Sequence, residues 1–122
     1  AIRLLNDHGL LAVVISNQAG IAHGFFEEHD TRTFNRGMED LLKEESGAHL
    51  DGVYYCAHHP KAARQEYRKI CICRKPNTGM FIQAARDLSI DIAHSFMIGD
   101  KQTDITAAKK ALCTAIMVRT GQ

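Results

Sequence analysis

Apolar and polar residues alternate along this chain in blocks of two kinds. Leu10 to Ile15 is a continuous apolar run closed by the polar Ser16-Asn17-Gln18, the pattern of a buried strand that opens into a loop. "GVYYC" at 52–56, "SFMIGD" at 95–100 and "TAIMV" at 114–118 read as three further strands. Between them, apolar residues recur at helical spacing: Phe34, Met38, Leu41 and Leu42 within 27–45, then Met80, Phe81, Ala84, Ala85 and Leu88 within 78–88. A third such helix covers 103–112, and Ala1 to Asp7 reads as the end of a helix stopped by Gly9. Strands alternating with helices predict an α/β fold with a parallel sheet and right-handed crossovers. At 122 residues and 45% hydrophobic, the chain holds one modest core. A single domain over 1–122 is expected, with no repeat, linker or low-complexity segment.

Charge changes this picture little. Fifteen basic residues nearly cancel 14 acidic ones, so no general field draws the chain to nucleic acid or an anionic membrane. No apolar run approaches the roughly 20 residues that span a bilayer, and the start lacks the pattern of a signal peptide. The expectation is a cytosolic, monomeric protein without membrane or nucleic-acid partners. In that reducing setting, clustered cysteines point to metal or reactivity rather than disulfides.

Ligands of parallel α/β sheets sit at the carboxyl ends of the strands. In chain order those ends carry Ser16-Asn17, then Cys56 with the stretch behind it, then Gly99-Asp100-Lys101. Cys56-x-His58 and Cys71-x-Cys73 are i, i+2 pairs, and in extended chain such residues point to one side. Three thiolates and an imidazole form a closed tetrahedral set, which suits structural zinc because no position is left for water. The loop from about 56 to 76 is therefore a candidate zinc loop. A group of small buried thiols beside a solvent histidine is the plainer alternative. His59 competes with His58 but is offset by one residue, and Cys113 beside the last strand is expected in the core. Arg74 and Lys75 follow the last clustered cysteine. They are either a solvated charged face or fixed cations that meet phosphate, a planar fork and a point charge. In "GDKQTD" (99–104), Gly99 permits a tight turn, Asp100 offers a hard oxygen to Mg²⁺, and Lys101 can meet a phosphate beside it. Asp104 would support a neighbour or cap the following helix, and a helix start favouring acidic residues is the plainer reading of the whole motif.

"VVISNQAGIAHGFF", "YYCAHHP", "CICRKPNTGM" and "FMIGDKQTDITAA" together resemble the haloacid-dehalogenase-like (HAD-like) phosphatases. Among these they are most similar to the branch acting on D-glycero-D-manno-heptose 1,7-bisphosphate, with the histidinol-phosphate phosphatases as relatives. The match keeps order and spacing from the first strand to Gly121. The resemblance implies a Rossmann-like three-layer sandwich with a mainly parallel sheet. It also implies a phosphoric monoester hydrolase of carbohydrate metabolism that uses Mg²⁺ and an aspartyl-phosphate intermediate. By it, Ser16 contacts the transferring phosphoryl group with Asn17 nearby, Arg74 contacts substrate and Lys75 is the phosphate-binding lysine. Asp100 ligates Mg²⁺ with Lys101 beside it, making Ser16, Lys75 and Asp100 the catalytic candidates. Cys56, His58, Cys71 and Cys73 match the zinc site of this branch.

Two departures stand out. Family members begin with a strand carrying Asp-x-Asp, whose first aspartate attacks phosphorus and whose second is the general acid and base. No Asp-x-Asp occurs in these 122 residues, and carboxylate nucleophilic catalysis needs its carboxylate. That strand lies mid-sheet in the family, so without it either a gap or a collapsed four-strand sheet is expected, and the chain alone is expected to be inactive. His23 stands in "GIAHG" where relatives commonly show arginine, which bears on substrate preference. A catalytically inactive zinc-containing phosphate-binding domain is the alternative, and a zinc-ribbon nucleic-acid module fits the balanced charge poorly.

Overall fold

The computed structural model describes residues 2–119; Ala1 and Gly121, named above, lie outside the described residues. In order come α1 (Ile2–Asp7), β1 (Val13–Asn17), α2 (Ala19–Ala22), α3 (Glu28–Ser46), β2 (Gly52–Cys56), α4 (Gly79–Leu88), β3 (Phe96–Gly99), α5 (Gln102–Lys110) and β4 (Thr114–Met117). Short 3-10 turns cover Gln65–Tyr67 and Ile92–His94.

All pairing is parallel among the described strands, as the alternation of strands and helices requires. β1 lies beside β2 with Val13 opposite Gly52 and Asn17 opposite Cys56. β3 lies beside β4 with Phe96 opposite Thr114 and Gly99 opposite Met117. The two pairs do not join, however, and form separate two-stranded sheets. Of the two expected outcomes, a gap is the one observed. A cavity of about 700 Å³ fills it, lined by Val13 and Ile15 on the β1 side, by Phe96 and Ile98 on the β3 side, and by Phe81 of α4.

The first strand starts later than hydropathy implies and runs through the polar Ser16-Asn17. Leu10 and Leu11 are apolar but half-exposed, lining the cavity. Ala12 donates its N–H to Asp51 Oδ2 at 2.7 Å, outside the ladder that begins at Val13. Pairing with β2, not the apolar run, sets the boundaries.

Packing explains why some helices are well seated and others are not. Met80, Phe81 and Ala84 of α4 share one face and are buried, and Phe81 joins Ala107, Ala108 and Cys113 in the core under Ile15, Met97 and Ala115. Truncating a buried phenylalanine of this kind costs ~3–5 kcal/mol. Cys113 is thus a core thiol, as read from its strand position. α3 forms for local reasons: Asp30 Oδ2 accepts the Glu27 N–H at its start, 2.8 Å, and apolar residues recur along it. Yet Thr31 alone is buried on it, while Phe34 and Leu41 are 71% and 53% exposed. Periodicity identified the helix without identifying a partner for its stripe.

Candidate active site

The carboxyl ends of β1 and β3 meet over a cleft of about 530 Å³ that includes Ser16, Arg74, Lys75, Asp100, Lys101 and Asp104. Three segments far apart in sequence therefore converge where the parallel topology places a ligand.

Lys75 is the centre of this arrangement. It is buried although charged, a costly placement unless its partners are good. Its Nζ donates to Asp104 Oδ1, itself buried, and to the Ile15 carbonyl at 3.1 Å. An ammonium has three donors, so one remains for a ligand in the cleft. Asp104 Oδ2 also accepts the Lys101 N–H at 3.3 Å, which ties the start of α5 to the same pair. Asp104 therefore holds a neighbour and caps the helix at once, the two roles offered for it from sequence. Gly99 is required by this closeness: a Cβ there would lie 2.5 Å from the Asp104 Cβ. The backbone of Lys75 is held as well. Its N–H donates to Asn17 Oδ1 at 2.9 Å, and its carbonyl accepts from Asn17 Nδ2 at 3.3 Å.

Ser16 sits beside this lysine at the end of β1, half-buried. Gln18 Nε2 donates to Ser16 Oγ at 2.8 Å, so the hydroxyl is oriented by a residue that the sequence reading passed over. The one available signal was its place in the polar stretch closing β1. Asp100 and Lys101 line the opposite wall.

Cys56, His58, Cys71 and Cys73 come together as expected, with ligand atoms all within 4.8 Å of one another. The sulfurs of Cys56 and Cys71 are 3.4 Å apart and those of Cys71 and Cys73 3.2 Å. His58 Nδ1 lies 3.9 Å from Cys56 Sγ and 3.5 Å from Cys73 Sγ. Sulfurs ~2.3 Å from a tetrahedral ion stand roughly 3.8 Å apart, so this spacing admits zinc after a small expansion. The thiols are free. Burial pushes Cys56 and Cys73 up. At Cys71 burial also acts upward, but hydrogen bonds from Cys73 and His58 outweigh it and bring the thiol to about 6. Three sulfurs so close cannot all carry charge without a cation among them.

This cluster fixes the loop that delivers the cations. Cys56 ends β2, and Cys73 directly precedes Arg74, whose Nη1 reaches the His58 carbonyl at 3.5 Å. Gly79 lets α4 abut the loop, since a Cβ there would lie 2.5 Å from the Ile72 carbonyl oxygen. Glu28 of α3 accepts hydrogen bonds from Tyr55 and Tyr67, both at 3.1 Å. Arg64 forks onto Glu27 at 2.9 and 2.7 Å. No motif announced either contact. His59 is outside the cluster, its ring 4.9 Å from that of His23. Desolvation, then the nearby charges of Arg74, His23 and Lys61, hold it below the usual imidazole range.

A serine, a buried lysine and an aspartate gathered at the carboxyl ends of parallel strands are the arrangement that the resemblance to the HAD-like phosphatases implies. A HAD-hydrolase-like family profile matches residues 72–122. The D-glycero-beta-D-manno-heptose-1,7-bisphosphate 7-phosphatase of Haemophilus ducreyi is 46% identical over 123 aligned positions, covering all of this chain and 67% of that protein. The protein of the same name from Escherichia coli (strain K12) is 44% identical, with 100% and 64% covered. The crystal structure of D,D-heptose 1,7-bisphosphate phosphatase from B. bronchiseptica, complexed with magnesium and phosphate, matches with a TM-score of 0.85 at 31% identity. That match covers 98% of this chain and 63% of the other. The chain belongs to the D-glycero-beta-D-manno-heptose-1,7-bisphosphate 7-phosphatase family of HAD-like hydrolases. It spans about two thirds of the length of these relatives.

Proposed function

We propose that this chain supplies the phosphate-binding and metal-holding part of a phosphatase that removes the 7-phosphate of D-glycero-β-D-manno-heptose 1,7-bisphosphate. The observation that carries this is the convergence of Ser16, Lys75, Asp100 and Lys101 on one cleft, in a chain similar to a structure complexed with magnesium and phosphate. Ser16 donates its hydroxyl to a phosphoryl oxygen, Lys75 and Lys101 offset the charge that develops in transfer, and Arg74 forks onto the substrate.

Asp100 is the cleft carboxylate free of the Lys75 pair, and it fits as one oxygen ligand of Mg²⁺. This ion takes one or two carboxylates plus phosphate and water, and when bound it neutralises the phosphoryl oxygens. Cys56, His58, Cys71 and Cys73 hold a structural zinc, which keeps Arg74 and Lys75 in register with the cleft. The attacking carboxylate comes from outside these 122 residues, because no Asp-x-Asp occurs in them. A strand placed in the gap between β1 and β3 would end at the cleft and present it there. Attack on phosphorus would break the bond to the sugar O7, which would take a proton from the second aspartate. Water deprotonated by that aspartate would then hydrolyse the aspartyl-phosphate to inorganic phosphate. Residues 1–122 then act as one domain, as a monomer in the cytosol. No described helix is long and apolar enough to cross a membrane.

The test is hydrolysis of the heptose bisphosphate with Mg²⁺, by this chain alone and with a synthetic extended peptide carrying Asp-x-Asp behind an apolar run. The expected result is background alone and turnover with the peptide, lost when its first aspartate becomes asparagine. Turnover by the chain alone would overturn the assignment of the nucleophile. Faster hydrolysis of histidinol phosphate than of the heptose would overturn the substrate. Tight peptide binding without turnover of either would favour a binding domain.

A further inference from the structure

We infer that Asn17 is a positioning residue, whose side-chain amide fixes the backbone of Lys75 and so aims its ammonium at the anion. The inference rests on the reading that the cleft binds phosphate. Asn17 is the last residue of β1. Its Oδ1 accepts the Lys75 N–H at 2.9 Å and its Nδ2 donates to the Lys75 carbonyl at 3.3 Å. A primary amide offers the acceptor and donor of a peptide group, so this pair imitates one rung of a β ladder. It joins residues 58 apart in sequence.

The consequence lies at the other end of the side chain. The Lys75 ammonium is held by the Ile15 carbonyl and Asp104, and its Cα end is held by Asn17. A lysine stem has four rotatable bonds and loses much entropy when ordered. Fixing both ends leaves the free N–H donor with one direction, into the cleft. Oδ1 and one N–H of the Asn17 amide are thereby engaged by the Lys75 backbone. The second N–H stays free beside the cleft, so the test must separate an effect through Lys75 from direct contact.

A double-mutant cycle separates this role from direct contact. Inorganic phosphate is titrated into the 122-residue chain, into Asn17→Ala, into Lys75→Met and into the double variant, each first checked for a dispersed amide spectrum. Asn17→Ser replaces Asn17→Ala if the latter does not fold. The expected loss of phosphate affinity on Asn17→Ala is roughly tenfold with Lys75 present and under about twofold in the Lys75→Met background. Equal losses in both backgrounds would mean that Asn17 touches phosphate itself, and would overturn the inference. Hydrogen exchange of the Lys75 amide is read in parallel and needs no ligand. It should quicken by at least about tenfold in Asn17→Ala, and unchanged exchange would also overturn the inference. A wild-type chain that binds no phosphate would sink the proposed function instead, leaving the exchange result to decide the role of Asn17.

Discussion

Lys75 and Asp104 show how much of the site depends on single side chains. Both are buried and they face each other, so removing one leaves an uncompensated charge in a poorly solvated place. Asp104→Ala should cost ~3–5 kcal/mol, while Lys75→Met combined with Asp104→Leu should cost clearly less. Urea denaturation checks both, and equal losses would mean that the pair is well hydrated. Gly99→Ala tests the same spot by volume, because its Cβ would lie 2.5 Å from the Asp104 Cβ. A loss of ~1–3 kcal/mol is expected, along with weaker phosphate binding as Asp104 shifts. The sequence marked Lys75, Asp100 and Lys101 by charge and position. It did not reveal the Lys75–Asp104 pair, whose members are 29 residues apart and meet only when α5 packs on β3 and β4 and Lys75 reaches the carboxyl end of β1. Gly99 was read as a turn residue, yet the close approach of Asp104 gives a stronger reason for it.

Among the elements, the loop from Cys56 to Cys73 buries only the small Ala57 and Ala62 besides Cys56, while its large apolar residues Ile70 and Ile72 are 86% and 79% exposed. Its order therefore depends on the cluster and on two holds, Tyr67 on Glu28 of α3 and Arg64 on Glu27 just before it. The purified chain should hold about one zinc ion that survives dialysis. Cys71→Ser should lose it and expose the loop to protease, because ligation and local folding are coupled. Metal analysis and limited proteolysis read the two effects. Glu28→Ala should loosen the loop with zinc retained, which separates the two anchors. The clustering of Cys56, His58, Cys71 and Cys73 was legible because each pair is close in sequence, a local property, although the chain bends at Ile72 and Cys73 instead of running extended. The anchorage by α3 was not, since Tyr55 and Tyr67 reach Glu28 across 27 and 39 residues. Strand and helix identities were readable for the same local reason. The start of β1 was misplaced because an apolar run marks burial, whereas pairing with β2 marks the strand.

Seen whole, the molecule is two parallel strand pairs with an apolar cavity between their facing edges and a polar cleft at their carboxyl ends. The parallel direction of the strands followed from the alternation of elements. The gap followed only from the resemblance and the lack of Asp-x-Asp, because nothing local in β1 or β3 encodes a missing neighbour. Unpaired edges flanking an apolar floor should accept an extended apolar segment. Such a peptide should raise the unfolding temperature of the chain, and the rise should continue with the logarithm of its concentration once this exceeds Kd, as for any ligand of the native state. The central claim is that the phosphate site stands on residues of this chain even with the gap open. A phosphate titration followed by amide NMR at low salt tests it most directly. The account predicts shifts confined to the neighbourhood of Ser16, Lys75 and Lys101, weakening as salt rises because the attraction is Coulombic. Shifts scattered over the surface, or none, would contradict it.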